Sequence, residues 1–122
     1  MSNIEMSTLN KTWIFDLDGT LVKHNGYKSK EEVLPGVKKF FSDNVKQEDK
    51  VIFMTARTLQ QASTAIETLS KDCIVCDHLI TDLPHGERIM YNDKKNSGLK
   101  TCYAFNVNRN AGLEEKTFIF SK

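Results

Sequence analysis

Asp16 and Asp18 stand one residue apart in the stretch FDLDGT, directly after an apolar run and directly before a Gly-Thr pair. Two carboxylates so close repel each other unless something offsets their charge. A bound cation would do so, and so would a proton in transit. Oxygen ligands of this kind suit a hard ion such as Mg²⁺, which bridges readily to phosphate. One carboxylate could also attack phosphorus and form an aspartyl-phosphate, splitting one hard displacement into two easier ones. The other could protonate the leaving oxygen and then activate water. The plain alternative is a turn whose aspartates only cap the local backbone.

The same pattern recurs downstream. Val51-Ile-Phe-Met54 ends in Thr55, and Arg88-Ile-Met-Tyr91 ends in Asn92-Asp93. In open α/β sheets the carboxyl ends of the strands face one crevice, so Asp16, Asp18, Thr55 and Asp93 are expected to converge there.

The elements needed to position them follow from periodicity. Thr12 to Phe15 and Val51 to Met54 have the form of short buried strands. Between them, Pro35 to Val45 places Val37, Phe40, Phe41 and Val45 at helical spacing, with Pro35 suited to a helix start. Thr58 to Ser70 carries Leu59, Ala62, Ile66 and Leu69 on one helical face, and Thr58 can cap it. Apolar runs at His78–Thr81, Arg88–Tyr91, Cys102–Phe105 and Thr117–Phe120 supply further strands. Alternating strand and helix predicts an α/β domain with a mainly parallel sheet. One link is strained: about six residues separate the runs at Thr81 and Arg88, where a parallel crossover needs roughly a dozen. Either a bare loop crosses the sheet edge or one of the two runs is not a strand.

At 122 residues the chain fits one compact domain spanning 1–122. With 17 basic and 16 acidic residues mixed along the sequence, it has no basic stripe that would track a nucleic acid backbone. No apolar run reaches membrane-spanning length, so no membrane association is expected. Cys73, Cys76 and Cys102 are an odd number at no disulfide spacing, and the first residues lack a signal core. A reducing cytoplasmic location follows as the default. Cys73 and Cys76 with His78 are half of a zinc pattern without its second pair.

DLDGTL at 16–21, VIFMTAR at 51–57 and IMYND at 89–93 together resemble the haloacid dehalogenase (HAD) superfamily of Mg²⁺-dependent phosphohydrolases, in that superfamily's motif order. The resemblance implies a three-layer Rossmann-like fold with Asp16 as nucleophile and Asp18 as general acid/base. It implies that Thr55, with Gly19, Ala56 and Arg88, binds the phosphoryl group. Mg²⁺ would sit on Asp16, Asp18 and Asp93. The tail from Leu83 to Leu113 is similar to that of small HAD proteins encoded near bacterial capsule and surface-polysaccharide genes, which implies a sugar phosphate or related small phosphomonoester as substrate.

Two departures from the superfamily pattern matter. The loop before Asp93 reads TDLPHGER and lacks the lysine that normally offsets the charge of nucleophile and phosphate. Arg88 can take that place, since a guanidinium binds phosphate oxygens bidentately. Lys71, Lys94 and Lys95 are the alternatives. The intervals that usually hold a cap domain are also short, leaving at most a flap at about 22–34. A capless site either accepts a bulky substrate or borrows a lid from a second copy in a homo-oligomer. His24 and Tyr27 on that flap are candidates for substrate contact, against a plain solvent-facing loop. Arg57 either binds substrate or pairs with a surface acid. Two rival functions stand beside the phosphatase: a receiver-like phosphoacceptor module, and a catalytically weak or silent HAD-fold partner.

Overall fold

A computed structural model describes residues 2–113 and 116–121. The elements run β1 (Ser2–Met6), β2 (Thr12–Asp16), α1 (Val37–Asn44), β3 (Lys50–Met54), α2 (Leu59–Ser70), β4 (His78–Ile80) and β5 (Lys116–Phe120), with one 3-10 turn at Gly26–Lys28. All strand pairings are parallel. β2, β3 and β4 form one sheet in that order, and β1 pairs with β5 in a second. The architecture is α/β.

β2 and β3 are rich in the β-branched and aromatic residues that favour a pleated, buried surface. Their register places Phe15 opposite Phe53 and Asp16 opposite Met54, while Met54 faces Ile80 of β4. The three strands therefore end level, and Leu17-Asp18, Thr55-Ala56-Arg57 and Thr81-Asp82 leave the sheet at one edge. Two backbone bonds close that edge: Asp82 N–H donates to the Arg57 carbonyl at 2.8 Å and Leu83 N–H to that of Thr55 at 3.1 Å.

Thr58 opens α2 with a capping box. Its hydroxyl accepts from Gln61 N–H at 3.2 Å, and the Gln61 side chain accepts from Thr58 N–H at 3.1 Å. The face that α2 buries is Ala62, Ala65 and Leu69, whereas Leu59 is exposed. α1 starts at Val37, with Gly36 in the left-handed conformation at its N-cap. The helices and the sheet share one core around the fully buried Phe53, Leu17, Leu21 and Leu69. Trp13, Phe40 and Phe118 meet edge to face at 5.6–5.7 Å, which ties β5 to the rest of the core.

Two expected strands are not formed. Arg88–Tyr91 and Cys102–Phe105 belong to a long irregular segment, and Ile89, Met90 and Tyr91 are 78%, 60% and 91% exposed. The short spacing after Thr81 is the reason: no crossover of adequate length precedes Arg88. β1 was not expected, because Asn3-Ile-Glu-Met6 is too polar to read as a buried run.

No cap domain is inserted. Between β2 and α1 the chain makes a small flap, closed at its base by a bridge between Val22 and Val33 and by Lys23 N–H donating to the Glu32 carbonyl at 2.9 Å. Between β3 and β4 it holds only α2 and a short turn. No helix among the described residues is long and apolar enough to cross a membrane.

Candidate active site

The turn after β2 is built so that its side chains are presented together. Leu17 is fully buried and its carbonyl accepts from the N–H groups of Thr20, Leu21 and Val22 at 3.0–3.2 Å. Gly19 has φ +78, the left-handed conformation that favours glycine. Asp16 and Asp18 flank the buried Leu17, and both line a cleft of about 330 Å³.

Asp16 Oδ1 accepts from Arg88 Nη1 at 3.2 Å, and Oδ2 accepts a long bond from the Thr20 hydroxyl at 3.4 Å. Burial raises the Asp16 carboxyl above its ordinary value, against the pull of Arg88.

Asp18 is bound more firmly. Both of its oxygens are taken by Arg57, Nε to Oδ2 at 2.9 Å and Nη2 to Oδ1 at 2.7 Å, and Asn25 N–H donates to Oδ1 at 2.9 Å. Burial alone would raise this carboxyl, but the Arg57 and Asn25 hydrogen bonds outweigh it and hold Asp18 below the ordinary carboxylate range.

Arg57 is itself enclosed. It also donates to Glu31 at 2.5 and 3.1 Å and to the Gln61 carbonyl at 3.0 Å, so all five of its N–H donors are satisfied. The Tyr27 ring lies 4.8 Å from its guanidinium carbon. With two carboxylates around it, Arg57 is driven further toward the charged form. Glu31 belongs to the flap and also accepts from Thr64 of α2 at 2.5 Å. One arginine thus joins the Asp-x-Asp turn, the flap and α2.

The sequence-expected phosphate ligands divide. Arg88 and Ala56 line the cleft with the two aspartates. Thr55 lies fully buried beneath it, its hydroxyl accepting from Arg57 N–H at 3.0 Å. The Gly19 amide donates to the Val22 carbonyl at 2.7 Å, so it shapes the turn and is not free for a phosphate oxygen. Asp93 stands apart from Asp16 and Asp18. It lines a second, shallower pocket with Lys94, Lys100 and Cys102, because the segment that carries it forms no strand to bring it to the sheet's carboxyl edge. Among the described residues, no three acidic, histidine or cysteine side chains converge as a metal cluster.

Three further groups reach the cleft. His24 and Tyr27 line it from the flap and Arg109 from the far end of the irregular segment. Flap contact was one of two readings open for His24 and Tyr27. Arg109 lies in the NVNRN stretch at 106–110 of the tail that resembles small HAD proteins, and no site role is read from it in the sequence. Arg57, expected either on substrate or on a surface acid, instead holds the buried Asp18. Its place two residues beyond Thr55, at the same strand edge as Asp18, was the available clue.

This combination of parallel sheet, Asp-x-Asp turn at a strand end and cleft above it has a counterpart among known families. The family model for haloacid dehalogenase-like hydrolases matches residues 13–114. The chain belongs to that family of hydrolases. No curated protein and no solved structure matches the chain.

Proposed function

We propose that the protein hydrolyses a small phosphomonoester through an aspartyl-phosphate on Asp16, with Mg²⁺ as cofactor. The observation that carries this is one cleft holding both carboxylates of the Asp-x-Asp turn, with the Arg88 guanidinium 3.2 Å from Asp16. The Asp16 carboxylate and the Asp18 carbonyl, which accepts no hydrogen bond among the described residues, supply oxygen donors for the ion. Mg²⁺ typically takes one or two carboxylates and completes its shell with water and substrate phosphate, so this donor set fits it. When bound, the ion would neutralise charge on the phosphoryl group.

The chain's own residues perform the rest. Oδ2 is the less engaged oxygen of Asp16 and attacks phosphorus as the ester P–O bond breaks. Asp18, ionised at rest, relays to the leaving oxygen a proton that the monoanionic phosphomonoester brings into the cleft. Water then attacks the aspartyl-phosphate, Asp18 takes its proton, and phosphate departs with Asp16 regenerated. Arg88 offsets the charge of nucleophile and phosphoryl group, the task usually given to lysine. The ionised state that Arg57 imposes on Asp18 suits its role as base in the second step.

A sugar phosphate or related metabolite is the proposed substrate class, supported by the similarity of residues 83–113 to small surface-polysaccharide HAD proteins and by an open, polar cleft with no cap. Three free thiols, Cys73, Cys76 and Cys102, support a reducing cytoplasmic setting.

Phosphate release from p-nitrophenyl phosphate and a panel of sugar and nucleotide monophosphates tests the proposal, with Mg²⁺ or with EDTA. Metal-dependent turnover that Asp16→Asn abolishes supports it. A folded protein inert on the whole panel would transfer the case to the silent-partner reading.

A further inference from the structure

Three arginines line the cleft, and their commitments differ. Every donor of Arg57 is used within the protein, and its side chain is 2% exposed, so it cannot reach a ligand. Arg88 is matched to Asp16. Arg109 is different: its side chain is exposed and donates to no residue among those described. Among the described residues, Asp16 and Asp18 are the only carboxylates lining the cleft, and each already has its arginine. Arg109 is therefore a cation in excess.

It is also held in place. Asn110 N–H donates to the Gly19 carbonyl at 2.9 Å, and the Asn110 side chain accepts from His24 N–H at 2.8 Å. The Arg109 Cγ lies 3.0 Å from where a Cβ on Gly19 would stand, so its stem packs on the very turn that carries the nucleophile. Glycine at that position is what allows the approach. A guanidinium held at its stem in a cleft, and unpaired among the described residues, is a receptor for a planar anion, and a carboxylate matches its fork. The reacting phosphoryl group already has Arg88 beside Asp16, and a cleft of about 330 Å³ has room for the rest of a small substrate.

We propose that Arg109 binds a carboxylate on the phosphorylated substrate, so that the preferred esters are phosphorylated acids, such as sugar acid phosphates, over their neutral counterparts. This inference rests on the phosphohydrolase reading of the same cleft. It is tested with phosphoglycerate and glycerol phosphate, which differ by a carboxylate in place of a hydroxymethyl group.

Dissociation constants for both ligands are measured calorimetrically on the Asp16→Asn protein with Mg²⁺, where turnover does not interfere. The acid is expected to bind about tenfold more tightly, the scale of a charge-assisted hydrogen bond. Arg109→Gln is expected to erase that ratio, and Arg109→Lys to keep part of it. Equal affinities in the parent protein overturn the inference, as does failure of the acid to bind. Equal weakening of both ligands by Arg109→Gln also overturns it and would assign Arg109 to the phosphoryl group. Binding preference with no metal-dependent turnover in the wild type would sink the hydrolase reading alone. Turnover without preference would sink this inference alone.

Discussion

Arg57 grips Asp18 through two near-parallel hydrogen bonds, of 2.9 and 2.7 Å, with the arginine side chain 2% exposed and the aspartate 16% exposed. A planar fork can hold both oxygens of a carboxylate in one orientation, which an ammonium group cannot. Arg57→Lys is therefore expected to keep the charge and lose the alignment, lowering kcat by about tenfold or more with a smaller change in KM. Arg57→Ala leaves both Asp18 and Glu31 without their buried partner and should destabilise the fold by about 3–5 kcal/mol. Denaturant unfolding and steady-state kinetics measure the two effects. An alanine variant as stable as the wild type would show that this arginine organises nothing.

Asp18 should matter most when the leaving group is poor. An alkoxide leaving from phosphorus needs a proton, whereas p-nitrophenolate leaves unaided. General acid catalysis is worth about 10²–10⁴-fold where it operates. On the proposed mechanism, kcat/KM for Asp18→Asn reports the steps up to formation of the aspartyl-phosphate, so it isolates the leaving-group step. It is expected to fall by that order for an alkyl phosphate and by clearly less for p-nitrophenyl phosphate. Equal losses on the two substrates would remove Asp18 from proton transfer to the leaving group.

The irregular segment is anchored to the core at Gly112. This glycine has φ +86, and a Cβ on it would stand 1.9 Å from the Pro35 carbonyl oxygen, just before α1. Leu113 N–H donates to the same carbonyl at 3.1 Å. Gly98 has a similar φ of +89 but open space around it, so it isolates the conformational cost. Gly98→Ala should cost about 1–2 kcal/mol from the left-handed backbone alone. Gly112→Ala adds a clash with main chain that cannot swing aside, and should cost distinctly more. Matched thermal melts of the two variants decide the matter, and identical losses would mean that the Gly112 contact is not as close as described.

The parts of this molecule that were legible in the sequence are those where local pattern and tertiary burial agree. Thr12–Asp16 and Lys50–Met54 are strands because their apolar side chains are also the ones the core takes up, and Thr58 caps α2 with chemistry confined to four residues. Ile89, Met90 and Tyr91 show the opposite. They have the composition of a strand, but pairing depends on a crossover that the chain after Thr81 is too short to make, and the run is left exposed. Asp93 is drawn away with them. Composition is silent in both directions here, since the polar Ser2–Met6 does form a strand by pairing with the distant Lys116–Phe120. Within the site, Asp16 and Asp18 announce themselves through spacing. Arg57, Glu31 and Arg109 do not, because their roles come from contacts between residues 26 to 90 positions apart.

Asp49 offers a test of pH linkage away from the candidate cleft. Its buried carboxylate accepts from Lys11 N–H at 2.9 Å, from Lys46 N–H at 3.0 Å and from the Trp13 indole at 2.9 Å, joining the start of β2 to the loop before β3. Burial alone would raise this carboxyl, but the three hydrogen bonds outweigh it and hold it below the ordinary value. A carboxylate whose folded pKa is depressed contributes stability that is fully present above its unfolded pKa, about 3.9, and is lost as pH falls through the folded value. Asp49→Asn is therefore expected to cost about 1–3 kcal/mol at neutral pH, because it removes the charge and leaves a buried donor short of an acceptor. The gap between wild type and variant should narrow once the pH drops below about 4, as the wild-type carboxylate protonates and its advantage disappears. Unfolding curves for both proteins from pH 7 downward measure this directly. A gap that stays constant through the acid range would show that the charge on Asp49 contributes nothing and that the loss comes from packing alone.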